Sequence, residues 1–164
     1  MPTIFEERTF TYTDKTLWPV GPWTTEVDRI QWVDPTTGYD CLLTRNPYCG
    51  FLCGYAGIPT SHPLSGVDYG DLYNRSFAVE SEITFSRFCA PKGVEEGSDV
   101  CHVAYPGRPD KVYWFGFHCG NMRDFEPNKS TNIQFNTDQN DYRDIAFVRE
   151  HVTKLALALK DWKA

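Results

Sequence analysis

No run of apolar residues in this chain approaches the ~18 that a helix needs to cross a bilayer, so the sequence gives no reason to expect a membrane-spanning segment. The opening residues, Met1-Pro-Thr-Ile-Phe-Glu-Glu-Arg8, lack the basic and then apolar order of a secretory leader. A soluble, cytoplasmic protein is therefore expected. Also missing are a nucleotide-binding loop, a hydrolase signature and the paired Cys-x-x-Cys spacing of a zinc knuckle. No cofactor and no metal are expected on that basis. Positive charge is in short supply: 16 Lys plus Arg against 22 Asp plus Glu leave a net charge of −6. That balance opposes loose attraction to a phosphate backbone and disfavours nucleic acid as a partner. The acidic residues are scattered, with short clusters at Glu95-Glu96 and around Asp138, Asp141 and Asp144. They do not form the long carboxylate row that a DNA mimic would need.

What is present is aromatic and irregular. The 164 residues suit one domain, 1–164, long enough to bury roughly 70% of the surface that the unfolded chain exposes. With 41% hydrophobic and 15% aromatic residues the composition is globular. Eleven Pro and twelve Gly point to many turns and a strand-rich fold. The six cysteines, in a chain without an export signal, are expected to remain mostly thiols.

Alternation predicts a short strand at 9–13, then a break at Trp18-Pro-Val-Gly-Pro-Trp23. The clearest hairpin joins 27–33 to 39–45 through Asp34-Pro-Thr-Thr-Gly38, in which Pro presets φ and Gly supplies positive φ. A third strand is expected at 51–58, where Gly54, Ala56 and Gly57 allow another backbone or a ligand to come close. A long strand at 77–88, a short one at 100–104 and an aromatic one at 111–118 follow, then a surface loop over 122–139. Asn140 or Asp141 is placed to cap a C-terminal helix. Its apolar positions Ile145, Val148, Val152, Leu155, Leu159 and Trp162 form a stripe at spacings of three and four. Glu150 and Lys154 add an outward i, i+4 pair. The expected fold class is α+β: a curved, mainly antiparallel sheet with the C-terminal helix packed on one face.

Chemistry concentrates where the aromatic strand ends, at His118-Cys119-Gly120-Asn121, with an inverted pair, Cys101-His102, upstream. Neighbouring strands would offer His102 with His118, Cys101 with Cys119, or a mixture, because side chains alternate faces. A buried thiol is ordinarily a small hydrophobe, whereas a catalytic one needs a thiolate and an oriented base. Cys119, with His118 as a partner, is the candidate nucleophile if the protein is an enzyme. Glu80 and Glu82 would share a strand face, which is more often simply wet. Rings such as Trp114 supply stacking surface, and the expected ligand site combines Trp114, His118, Cys119, Asn121 and Asp124 with His62 and His102 from neighbouring loops.

Ile30-Gln-Trp-Val-Asp34, Leu52-Cys-Gly-Tyr-Ala-Gly-Ile-Pro59 with His62-Pro63, Cys101-His-Val, Trp114-Phe-Gly-Phe-His-Cys119 and Tyr142-Arg-Asp144 carry a likeness. From about Trp23 to the C-terminal helix the chain resembles a family of small proteins of no established activity encoded in bacterial and phage genomes. Members of that family carry Asp-Cys-Ala-His at the end of the aromatic strand, and Cys119 is the position here that matches. The resemblance implies a binding role in preference to catalysis: a counter-defence protein that sequesters a nucleotide-like small molecule or blocks a host protein. The alternative is a small Cys- or His-dependent hydrolase at the same strand end.

Overall fold

The structure, a computed structural model, describes residues 6–79, 82–89, 100–102, 105, 107–108, 111–121, 124–129, 132 and 136–163. Among the described residues six strands are ordered β1-β2-β3-β4-β6-β5 across one open sheet, and every neighbouring pair is antiparallel. The strands are β1 (Arg8–Phe10), β2 (Arg29–Val33), β3 (Asp40–Arg45), β4 (Leu52–Pro59), β5 (Phe85–Cys89) and β6 (Val112–His118). One long helix, α1 (Ile145–Asp161), packs on the sheet, chiefly against β4 and β3. The fold is α+β, as the patterning indicates.

The β2–β3 hairpin closes as its turn residues require: the Gly38 amide donates to the Asp34 carbonyl at 2.8 Å, with Gly38 at φ +75°. Ile30, Trp32, Cys41, Leu43, Ala56, Ile58, Phe115 and Phe117 meet Val148, Val152, Leu155, Ala156 and Leu159 in the main core. The helix sits very close over β4. A Cβ on Gly54 would lie 2.6 Å from Val152 Cγ2 and 2.7 Å from Phe117 Cζ, so the glycine makes room for α1. Leu42, Tyr55, Cys89, Cys101, Val112 and Trp114 form a second cluster.

A buried polar network ties the helix entrance to the hairpin. The Arg45 guanidinium donates to Asp28 Oδ1 (2.8 Å), the Gly50 carbonyl (2.9 Å), the Tyr142 hydroxyl (2.8 Å), Glu26 Oε1 (3.2 Å) and the Val27 carbonyl (3.1 Å). Those contacts employ every N–H that an arginine side chain possesses. Glu26 in turn accepts from Tyr142 Oη (2.6 Å) and from the Ile145 amide (3.0 Å), which is otherwise an orphan donor at the helix start. Asp144 caps the helix by accepting from the Phe147 amide.

Several local expectations are corrected. The cap is Asp144 rather than Asn140 or Asp141, because 139–141 form a separate single 3₁₀ turn capped by Asp138. Of the strand expected over 77–88, only the part from Phe85 forms, as β5, and the described residues 77–79 and 82–84 carry no strand. Glu80 lies outside the described residues. Cys101 and His102 are not in a strand, and 103–104 lie outside the described residues. Within 122–139, Phe125, Glu126 and Asn132 are buried rather than on the surface. Cys89 and Cys101 are joined as a disulfide, against the expectation of thiols: Cys89 at the end of β5 and Cys101, outside the strands, meet in the second cluster with their Cα atoms 5.6 Å apart. Cys41, Cys49, Cys53 and Cys119 are free. The Glu150–Lys154 pair forms as expected, at 3.6 Å.

Candidate functional site

The end of β6, the turn after it and the first two turns of α1 enclose a cavity of about 320 Å³. Of the residues singled out in the sequence, His118, Cys119, Asn121 and Asp124 line it; Phe117, Glu82, Arg143, Phe147 and His151 complete the wall. One side is aromatic. The rings of Phe147 and His151 lie 4.1 Å apart, tilted by 35°, and Phe117 meets His151 edge-on at 6.2 Å. The Arg143 guanidinium stands 4.4 Å above the Phe147 ring, a cation–π contact that extends this flat surface.

The other side is polar and internally braced. Asp124 Oδ1 accepts from Arg143 Nε at 3.2 Å, and its Oδ2 accepts from the amide and side chain of Asn121 at 3.2 and 3.3 Å. Asn121 Nδ2 also donates to the His118 carbonyl at 3.1 Å. His118 Nδ1 accepts from the Gly120 amide at 3.3 Å, which assigns the proton of the neutral ring to Nε2 and makes that nitrogen a donor. The Gly120 turn is tight: a Cβ there would come within 2.7 Å of the Phe51 ring.

Cys119 is a packed thiol rather than an activated one. It is buried in the main core, its amide donates to the Leu52 carbonyl at 2.8 Å, and burial pushes the thiol up, with the Asp124 charge adding to the effect. Arg143 acts the other way and does not prevail. Cys53, on β4 opposite His118, is pushed up by burial to about 11. Nucleophilic catalysis needs a thiolate, and both thiols are held protonated near neutral pH.

Three residues expected at this site are elsewhere. Trp114 is fully buried in the second cluster, because strand alternation turns it away from the face that carries Phe115 and Phe117. His102 stands edge-on to Trp114 at 5.5 Å, so the two His–Cys dipeptides do not meet. His62 closes the far end of the helix: its Nδ1 accepts from the Leu64 amide at 2.9 Å, leaving Nε2 to donate to the Leu159 carbonyl at 2.8 Å. Arg143, Phe147 and His151 went unrecognised in the sequence. His151 had a signal, being a histidine three residues after Val148 on an otherwise apolar stripe. Arg143 and Phe147 reach the cavity only because Asp144 sets where the helix begins.

Comparisons with protein-family models, with curated proteins and with solved structures give no match.

Proposed function

We propose that the chain is a binding protein for a small molecule with a flat, hydrogen-bonding ring of nucleobase type, held in the cavity at the end of β6. The observation that carries this reading is the pairing of an aromatic wall (Phe117, Phe147, His151) with a polar one (His118, Asn121, Asp124, Arg143) around a volume of about 320 Å³, at the small end of the range for ligand pockets. Arg143 is already paired with Asp124, and Glu82 lines the same space. Those carboxylates favour recognition through a ring over recognition through a phosphate. Sequestration of a nucleotide-like signal, the counter-defence role that the family resemblance implies, would use the site in this way.

Thermal-shift titration with free bases, nucleosides and linear and cyclic nucleotides, followed by mass spectrometry of the recovered ligand, tests the proposal. A bound base or nucleoside recovered intact, with binding lost in Phe147→Ala and Asn121→Ala, supports it. A recovered compound that has been hydrolysed, with hydrolysis lost in His118→Ala, replaces it with the histidine-dependent hydrolase. Absence of binding across the panel overturns it.

A further inference from the structure

On the second cluster, remote from the cavity, Cys89, Cys101 and His102 converge. All three are buried, and their two sulfurs and one ring nitrogen lie within 4.8 Å of one another. We infer that the reduced form of this cluster is a binding site for zinc, or for another thiophilic divalent cation, and that the disulfide and the metal are alternative occupants of the same two sulfurs.

Ligand type is the first argument. Two cysteines and a histidine form a recognised zinc set, and in a tetrahedral site with bonds of about 2.0–2.3 Å the ligand atoms stand roughly 3.3–3.8 Å apart. The three ligand atoms already lie within 4.8 Å of one another, and reduction frees the two sulfurs to move apart to that spacing. Charge is the second. Zinc with two thiolates and a neutral imidazole sums to zero, so the assembled site can occupy an apolar cluster without the penalty of a net buried charge. The third is the Trp114 indole in the same cluster, whose buried N–H has no hydrogen-bond acceptor among the described residues. A metal-bound thiolate is an acceptor for such a donor, and outer contacts of this kind hold metal ligands in place.

The interconversion balances. A dithiol reductant delivers two electrons and two protons to the Cys89–Cys101 bond, giving two thiols while the reductant closes to its own disulfide. Zinc then forms two Zn–S bonds, and the two thiol protons pass to solvent. His102 Nδ1 or Nε2 supplies the third bond, and one tetrahedral position is left for water.

The test uses the whole chain, reduced with excess dithiol, desalted anaerobically and titrated with Zn²⁺ or Co²⁺. One metal per chain is expected, with a sulfur-to-cobalt charge-transfer band, and no such binding by protein whose disulfide is intact. His102→Ala should weaken zinc at least about 10-fold, and Cys89→Ser should remove the band, whereas Cys49→Ser should change neither. Reduced wild type that retains no metal overturns the inference, as does metal binding that is equal in the oxidised and reduced wild type. Because that comparison needs no variant, it stands even if a substitution unfolds the chain.

Discussion

Replacing Arg45 with Met tests the buried network most directly. The side chain is fully enclosed and uses all its donors, so Arg45→Met removes a charge whose partners stay behind. Asp28 keeps Lys15 at 3.0 Å and the Tyr12 and Thr13 amides at 2.8 Å, and Glu26 keeps Tyr142 and the Ile145 amide. The Gly50 and Val27 carbonyls lose their arginine donor. Breaking a buried ion pair from one side costs about 3–5 kcal/mol, a large share of the ~5–15 kcal/mol that holds a domain together. For a chain of this length that is about 6–20 °C in melting temperature. Urea unfolding followed by tryptophan fluorescence measures it. Asp28→Asn in the Arg45→Met background should cost less than it does alone, because the carboxylate has already lost its guanidinium. A loss below about 1 kcal/mol for Arg45→Met would refute the reasoning, since loss of a buried, fully engaged cation cannot be so cheap.

Leu155→Ala, at a fully buried position under the helix, should cost about 2–5 kcal/mol by the same assay. Cys119→Ser should also destabilise, by about 1–3 kcal/mol, because it buries a hydroxyl in the core; an unchanged urea midpoint would return Cys119 to the cavity mouth that the sequence suggests. Burial by itself would raise the Asp28 carboxyl, but the Thr13 and Tyr12 amides and Lys15 outweigh it and leave the folded value below the ordinary one. Its stabilising contribution is therefore present above about pH 4 and lost as pH falls through the folded value, so Asp28→Asn should flatten the acid limb of a stability–pH profile. Air-equilibrated protein should show four reactive thiols in denaturant and six after reduction, and a count of six before reduction would contradict the Cys89–Cys101 bond.

The elements written as local patterns were legible. The 34–38 turn, the alternation of the central strands and the stripe from Ile145 to Leu159 each specify their own geometry over a few residues. Half of the cavity was legible too, because His118, Cys119, Asn121 and Asp124 are near neighbours on one strand end. Phe147 and His151 come from α1, and which helix residues face β6 depends on the close approach at Gly54, a tertiary fact. Trp114 was misassigned because an aromatic run does not say which of its alternating faces meets the helix. Cys89 carries no local signal, because its partner Cys101 lies 12 residues on and outside the strands, where neither alternation nor spacing joins the two.

The helix that supplies the aromatic wall is fastened at each end by a different part of the chain. Glu26 and Asp144 hold its first amides, while His62 grips the Leu159 carbonyl and Trp162 Nε1 donates to the Arg75 carbonyl at 2.7 Å. Sliding along its axis would break contacts at both termini at once. The wall is therefore in place before anything arrives, and binding need not order it. In stopped-flow mixing, a ligand of this cavity should give one phase whose rate rises linearly with concentration, without the plateau that marks a slow rearrangement.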